Sequence, residues 1–132
     1  MSEKEVEKEL KAQEQAQEEK EQNELARFVE LLAELNNEAM EMLETGDLSG
    51  LYPMNDTVEE LFSIQHGNED ELYTGIDKEA KLIYGNFNAL VQLTERVGEH
   101  EWSEEASANA RTCLENILQT SLKIIRMYGL LD

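Results

Sequence analysis

An apolar row that begins abruptly at Leu25 constrains this chain more than any other feature. With Leu25 at heptad position a, Leu25, Phe28, Leu32, Leu35, Ala39 and Met42 occupy successive a and d positions. That spacing describes one face of a helix packed against other helices. Carried backwards, the same register meets Glu21, Glu18, Glu14 and Lys11, so the seam starts at 25. Val29 and Leu43 widen it on one side and Leu31 on the other. Gly46 is the expected stop, and Asp47-Leu48-Ser49-Gly50 reads as loop.

Residues 2–24 are a low-complexity run of Glu, Lys and Gln in which Val6 and Leu10 are the large apolar residues. Their helix propensity is high, but no apolar stripe anchors a helix, and isolated helices are marginal in water. The expectation is a charged extension over 1–24, a frayed helix or disordered, ahead of a bundle domain over 25–132. A sharper alternative makes the extension an acidic arm that docks on a basic surface.

Three further helices are predicted. The connection Leu51-Tyr52-Pro53-Met54-Asn55 leads to one that starts with Asp56 or Thr57 as N-cap and ends at Gly67. Val58, Leu61 and Phe62 form its short apolar face, and the acidic stretch Asn68 to Gly75 reads as an exposed loop. Asp77 is a plausible cap for a helix to Val97, with Ile76, Ala80, Ile83, Phe87, Leu90 and Val97 recurring at helical intervals and Gly85 inside it. Ser103 caps the last helix, Glu104 and Glu105 sit where its dipole favours negative charge, and Gly129 follows its end near Tyr128. One proline, seven glycines and few β-branched residues argue against a β meander. The fold class is therefore all-α, an antiparallel bundle of about four helices.

Thirty acidic residues against eleven basic give a formal net charge of −19. Such a surface repels nucleic-acid phosphates and anionic lipid, so direct nucleic-acid or membrane binding is not expected. It favours solubility and steering toward a basic protein partner. Cys113 is alone, which rules out an intrachain disulfide and suits a reducing compartment. The charged start Met1-Ser2-Glu3-Lys4-Glu5 lacks the apolar run of a signal peptide. The expected location is cytoplasmic, or nuclear in a eukaryote.

Chemistry needs convergent reactive groups, and the sequence offers few. His66 and His100 lie far apart near predicted helix ends, and there is no His-Glu-x-x-His, Glu-x-x-His or Cys-x-x-Cys. Cys113 falls on an inward stripe, where burial raises a thiol's pKa. The cluster Asn68-Glu69-Asp70-Glu71 lacks the alternating oxygens of a calcium loop. No catalytic, metal or cofactor residues are assigned. Trp102 and Tyr52 read as linker aromatics that close a bundle end or anchor a partner.

What remains is the wide apolar surface of the last helix. Leu114, Leu118, Leu122, Ile124, Ile125 and Tyr128 are the candidate partner-binding residues, with methionines adding adaptable surface. The expected function is non-enzymatic: a small helical subunit, adaptor or chaperone-like module that binds a protein partner or a second copy through helix faces. The alternative is an acidic inhibitor, or nucleic-acid mimic, that blocks the basic groove of a nucleic-acid-binding protein.

Overall fold

A computed structural model describes residues 2–98 and 100–129. The fold is all-α. Helix α1 spans Glu3–Thr45, α2 Leu51–His66, α3 Glu71–Thr74, α4 Asp77–Val97 and α5 Glu104–Met127. Four long helices make the bundle, and α3 is a single turn within the α2–α4 connection.

Neighbouring long helices run antiparallel. Along α1 and α5, the Phe28 ring lies 6.3 Å from Tyr128, Asn36 meets Ser121, and Met42 shares a cleft with Ala110. Between α1 and α2, Arg27 pairs with Glu60 while Met42 lies against Gly50. Between α4 and α5, Glu79 pairs with Lys123 at 3.2 Å and Asn86 accepts from Asn116 at 3.1 Å. Between α2 and α4, Gln65 accepts from the Tyr84 hydroxyl at 3.0 Å. Of these four neighbouring pairs, α2 and α4 are the least intimate.

The core draws on every long helix. Leu32, Leu35, Met54, Leu61, Ile83, Leu90, Ile117 and Ile124 are all essentially inaccessible. One polar contact lies among them: the Asn36 amide donates to the Leu118 carbonyl and to the Ser121 hydroxyl, each at 3.1 Å. Ser121 in turn donates to the Leu118 carbonyl at 2.9 Å.

The charged extension continues α1 without a break. Ser2 caps it by accepting from the Glu5 backbone N–H, and Glu3 and Glu5 lie in the favourable first turn. Residues 3–23 are exposed throughout, so about 30 Å of helix stands clear of the bundle. The packed half supplies the helical nucleus that an isolated peptide lacks. Gly46 ends α1 in the left-handed conformation (φ 71°), as its position after the seam predicts.

The connections differ from the expectation in three places. Helix α2 begins at Leu51, so Pro53 lies in its first turn rather than in a connection, where its missing N–H costs nothing. Thr57 is consequently interior and caps nothing; its hydroxyl is shared between Glu38 and the Pro53 carbonyl. The stretch from Asn68 to Gly75 is not all exposed loop. Asp70 caps α3, which buries Tyr73 against Phe28 at a ring distance of 5.3 Å. Asp77 is the first residue of α4 and not its cap; Ile76 holds the cap position, buried. Among the described residues no helix is long and apolar enough to cross a membrane.

Two outcomes follow from this packing. Deleting residues 2–22 leaves Asn23 to cap the shortened helix. Urea denaturation should then give unfolding free energy within about 0.5 kcal/mol of the full chain, while far-UV circular dichroism loses helical signal. Asn36→Ala, by contrast, should lower the unfolding free energy by about 1–2 kcal/mol in the same titration.

Candidate interaction site

The six candidate residues of the last helix serve its own fold to differing degrees. Leu114, Ile124 and Ile125 retain 2%, 1% and 7% of their surface, packed against α1 and the other core helices. Leu118, Leu122 and Tyr128 are half-buried. The Tyr128 hydroxyl donates to the Leu72 carbonyl at 2.7 Å, tying the end of α5 to α3. The apolar surface of α5 is wide because this helix has neighbours on two sides and α3 at its end. These residues therefore do not form one free face.

Two openings in the surface bear on binding. The larger is a cleft of about 500 Å³ between the α1–α2 turn and the start of α5, with Trp102, Met42, Leu48, Ala110 and Leu114 among its walls. Trp102 packs there half-buried, at the end of the bundle. Asp47 and Arg111, of opposite sign, also line the cleft. Met42, Ala110 and Leu114 keep 5% or less of their surface, so a ligand entering would remove little further apolar area from water.

The second opening is a groove of about 290 Å³ along the loosely joined α2–α4 seam, lined by Asn55, Val58, Glu59, Phe62, Tyr84, Phe87 and Asn88. Its floor is Val58 and Phe87, both buried, while Phe62 stands 47% exposed. Phe62 meets Tyr84 edge to face at 5.0 Å and His66 at 4.0 Å. Gln65, buried beneath, donates to the Tyr73 carbonyl at 3.4 Å and accepts from Tyr84. Both ends of its amide are thereby used, and the Tyr84 ring is held in place. A neighbouring hollow of about 340 Å³, lined in part by His66, Tyr73 and Asp77, continues the seam.

The sequence placed Phe62 on the inward face of its helix together with Leu61. Consecutive residues on a helix point about 100° apart, so both could not face the core; Leu61 does, at 2% exposure. That adjacency was the available signal. Tyr52, Asn55, Glu59, Phe62 and His66 follow at three- and four-residue spacing and are all exposed.

Groups with chemical potential elsewhere are dispersed. Cys113 is half-buried and burial raises its thiol pKa. His66 and His100 are exposed at separate positions. Among the described residues no three His, Cys, Asp or Glu side chains converge as metal ligands. One carboxyl, Glu38, lies between α1 and α2. Its Oε1 accepts from Thr57 at 2.7 Å, while Oε2 is buried without a partner. Desolvation, together with repulsion from Glu34 and Asp56, pushes its pKa up; the Thr57 bond offsets only part.

Fold and site together define an antiparallel helical bundle with a projecting helical arm and an aromatic groove. Comparison with protein-family models, with curated proteins and with solved structures gives no match.

Because its folded pKa lies above the unfolded one, Glu38 favours folding below the unfolded pKa, and that contribution is lost as pH rises through the folded value. Glu38→Gln does not ionise. Its stability relative to the natural chain should increase as pH is raised from about 4 to about 7, as measured by thermal unfolding at each pH. A difference that stays constant with pH would show that Glu38 titrates normally.

Proposed function

We propose that this chain is a non-enzymatic protein-interaction module that binds its partner along the α2–α4 groove. The observation that carries the proposal is Phe62: a large aromatic side chain, 47% exposed, set over a buried apolar floor. An aromatic anchor beside a groove is the kind of feature on which binding energy concentrates. The candidate residues of α5 fit this role less well, since half of them are already buried in the bundle. The cleft beside Trp102 offers a partner little unspent apolar area.

The arm of α1 adds reach. It holds a rod of helix at one end of the bundle, without apolar seam of its own, and suits long-range electrostatic attraction rather than a packed interface. The projecting acids are also what the acidic-inhibitor reading would use, and ionic strength separates the two. Binding through the groove persists at high salt, whereas binding through the arm does not.

The test is affinity capture from the native host with three versions of the full chain: natural, Phe62→Ser, and Met40→Ser as a control at a similarly exposed position on α1. A partner that survives a high-salt wash should weaken at least tenfold with Phe62→Ser, equivalent to about 1.4 kcal/mol, and be unaffected by Met40→Ser. Equal recovery by all three proteins would remove the groove from consideration.

A further inference from the structure

We propose that the α2–α4 groove takes a cationic amphipathic helix of a partner protein, an inference that rests on the groove being the interaction site. Two observations carry it, the shape of the seam and the charge along its edges.

The seam is bounded by two antiparallel helices that make sparse contact with one another. Its exposed α2 edge runs from Tyr52 to His66, about 21 Å of helix. A partner helix of about 14 residues spans that length, and its apolar positions at i, i+3, i+4 and i+7 would meet Phe62, Tyr84 and the floor between them. A single extended strand has no exposed sheet edge to join here, so helix-in-groove packing is the mode that the surface supports.

The edges carry surplus negative charge. Glu59 lines the groove on α2, and Glu95 follows Tyr84, Asn88 and Val91 at helical spacing on α4. Among the described residues neither of these two acids has a cationic partner within 4 Å. Lys81, the base beside this edge, is already held by Asp77 at 2.8 Å. Lysines or arginines flanking an apolar stripe would satisfy those acids and speed the encounter. A second copy of this chain would instead bring another formal charge of −19 to the same face.

The probe is a synthetic 14-residue peptide of Leu and Lys patterned as an amphipathic helix, titrated against the full-length protein by fluorescence anisotropy. Two further peptides serve as comparisons: the same composition scrambled to abolish the apolar face, and the patterned peptide with Glu replacing Lys. The patterned cationic peptide should bind at least tenfold tighter than either. Phe62→Ser should weaken it about tenfold, as should the charge reversal Glu59→Lys with Glu95→Lys. Equal binding of the scrambled peptide, or binding unaffected by Phe62→Ser, overturns the proposal, because charge alone would then account for it. Absence of binding by the patterned peptide overturns it as well.

Applying the charge-reversed protein to the host capture separates the two levels. A partner lost with Phe62→Ser but retained by the charge-reversed protein leaves the groove as the interface and refutes a cationic occupant. A partner retained by both variants refutes the groove itself.

Discussion

The alignment of α1 against α5 depends on a polar contact inside the apolar core. Asn36 on α1 reaches the Leu118 carbonyl and the Ser121 hydroxyl on α5, within a largely apolar core. Apolar ridges can interdigitate at more than one register, because Leu and Ile fit similar hollows. Moving α5 by one turn, about 5.4 Å, would leave the Asn36 amide buried without partners, at a cost of about 1–3 kcal/mol. The contact therefore selects one alignment. The same alignment brings Phe28 to Tyr128 at one end and Met42 to Leu114 at the other. Tyr128 then reaches the Leu72 carbonyl, which fixes α3 and the turn into α4.

Charge is distributed around this core in a way that explains both the arm and the acidic surface. Of the bases, Arg27 gathers Glu30, Glu34 and Glu60, Lys81 holds Asp77, and Lys123 holds Glu79. These pairs lie within helices or between neighbouring ones. With thirty acids against eleven bases, most carboxylates remain uncompensated and face solvent. Apart from Glu79, which is buried, the paired carboxylates are largely exposed and contribute little to stability, so the bundle is held mainly by its core. The arm has neither kind of attachment. Its helix persists because the packed half of α1 nucleates it and Glu, Lys, Gln and Ala propagate it readily.

Much of this was legible in the sequence where a residue type has one physical use. The heptad row located the packed half of α1, Gly46 located its end, and Ser103 located the start of α5, whose side chain accepts from the Ala106 backbone N–H. Legibility failed where a residue has two uses. Pro53 breaks a helix interior but fits a first turn, and only the turn from Leu48 to Gly50 decides between them. Tyr73 lies in an acidic stretch that reads as surface, yet it is buried once α3 folds onto α1 and α2. The apolar breadth of α5 signalled contact, but a helix surrounded by its own chain and a helix waiting for a partner carry the same pattern. Phe62 was hidden for the same reason, since the apolar side chains of a short helix look inward until a neighbour such as Leu61 takes that place.

The groove owes its openness to how α2 and α4 are joined. Gln65 links α2 to the Tyr73 backbone and to the Tyr84 hydroxyl, so the seam is closed at that level by hydrogen bonds and not by interdigitated aliphatic side chains. Apolar closure would have drawn Phe62 inward. Polar closure leaves it outside, resting on a Tyr84 ring that is itself anchored. An anchored aromatic pair loses little conformational freedom when a partner covers it, so less of the gain from burial is offset by ordering. The bond that completes the fold at this seam thus also holds the proposed binding surface in a prepared state.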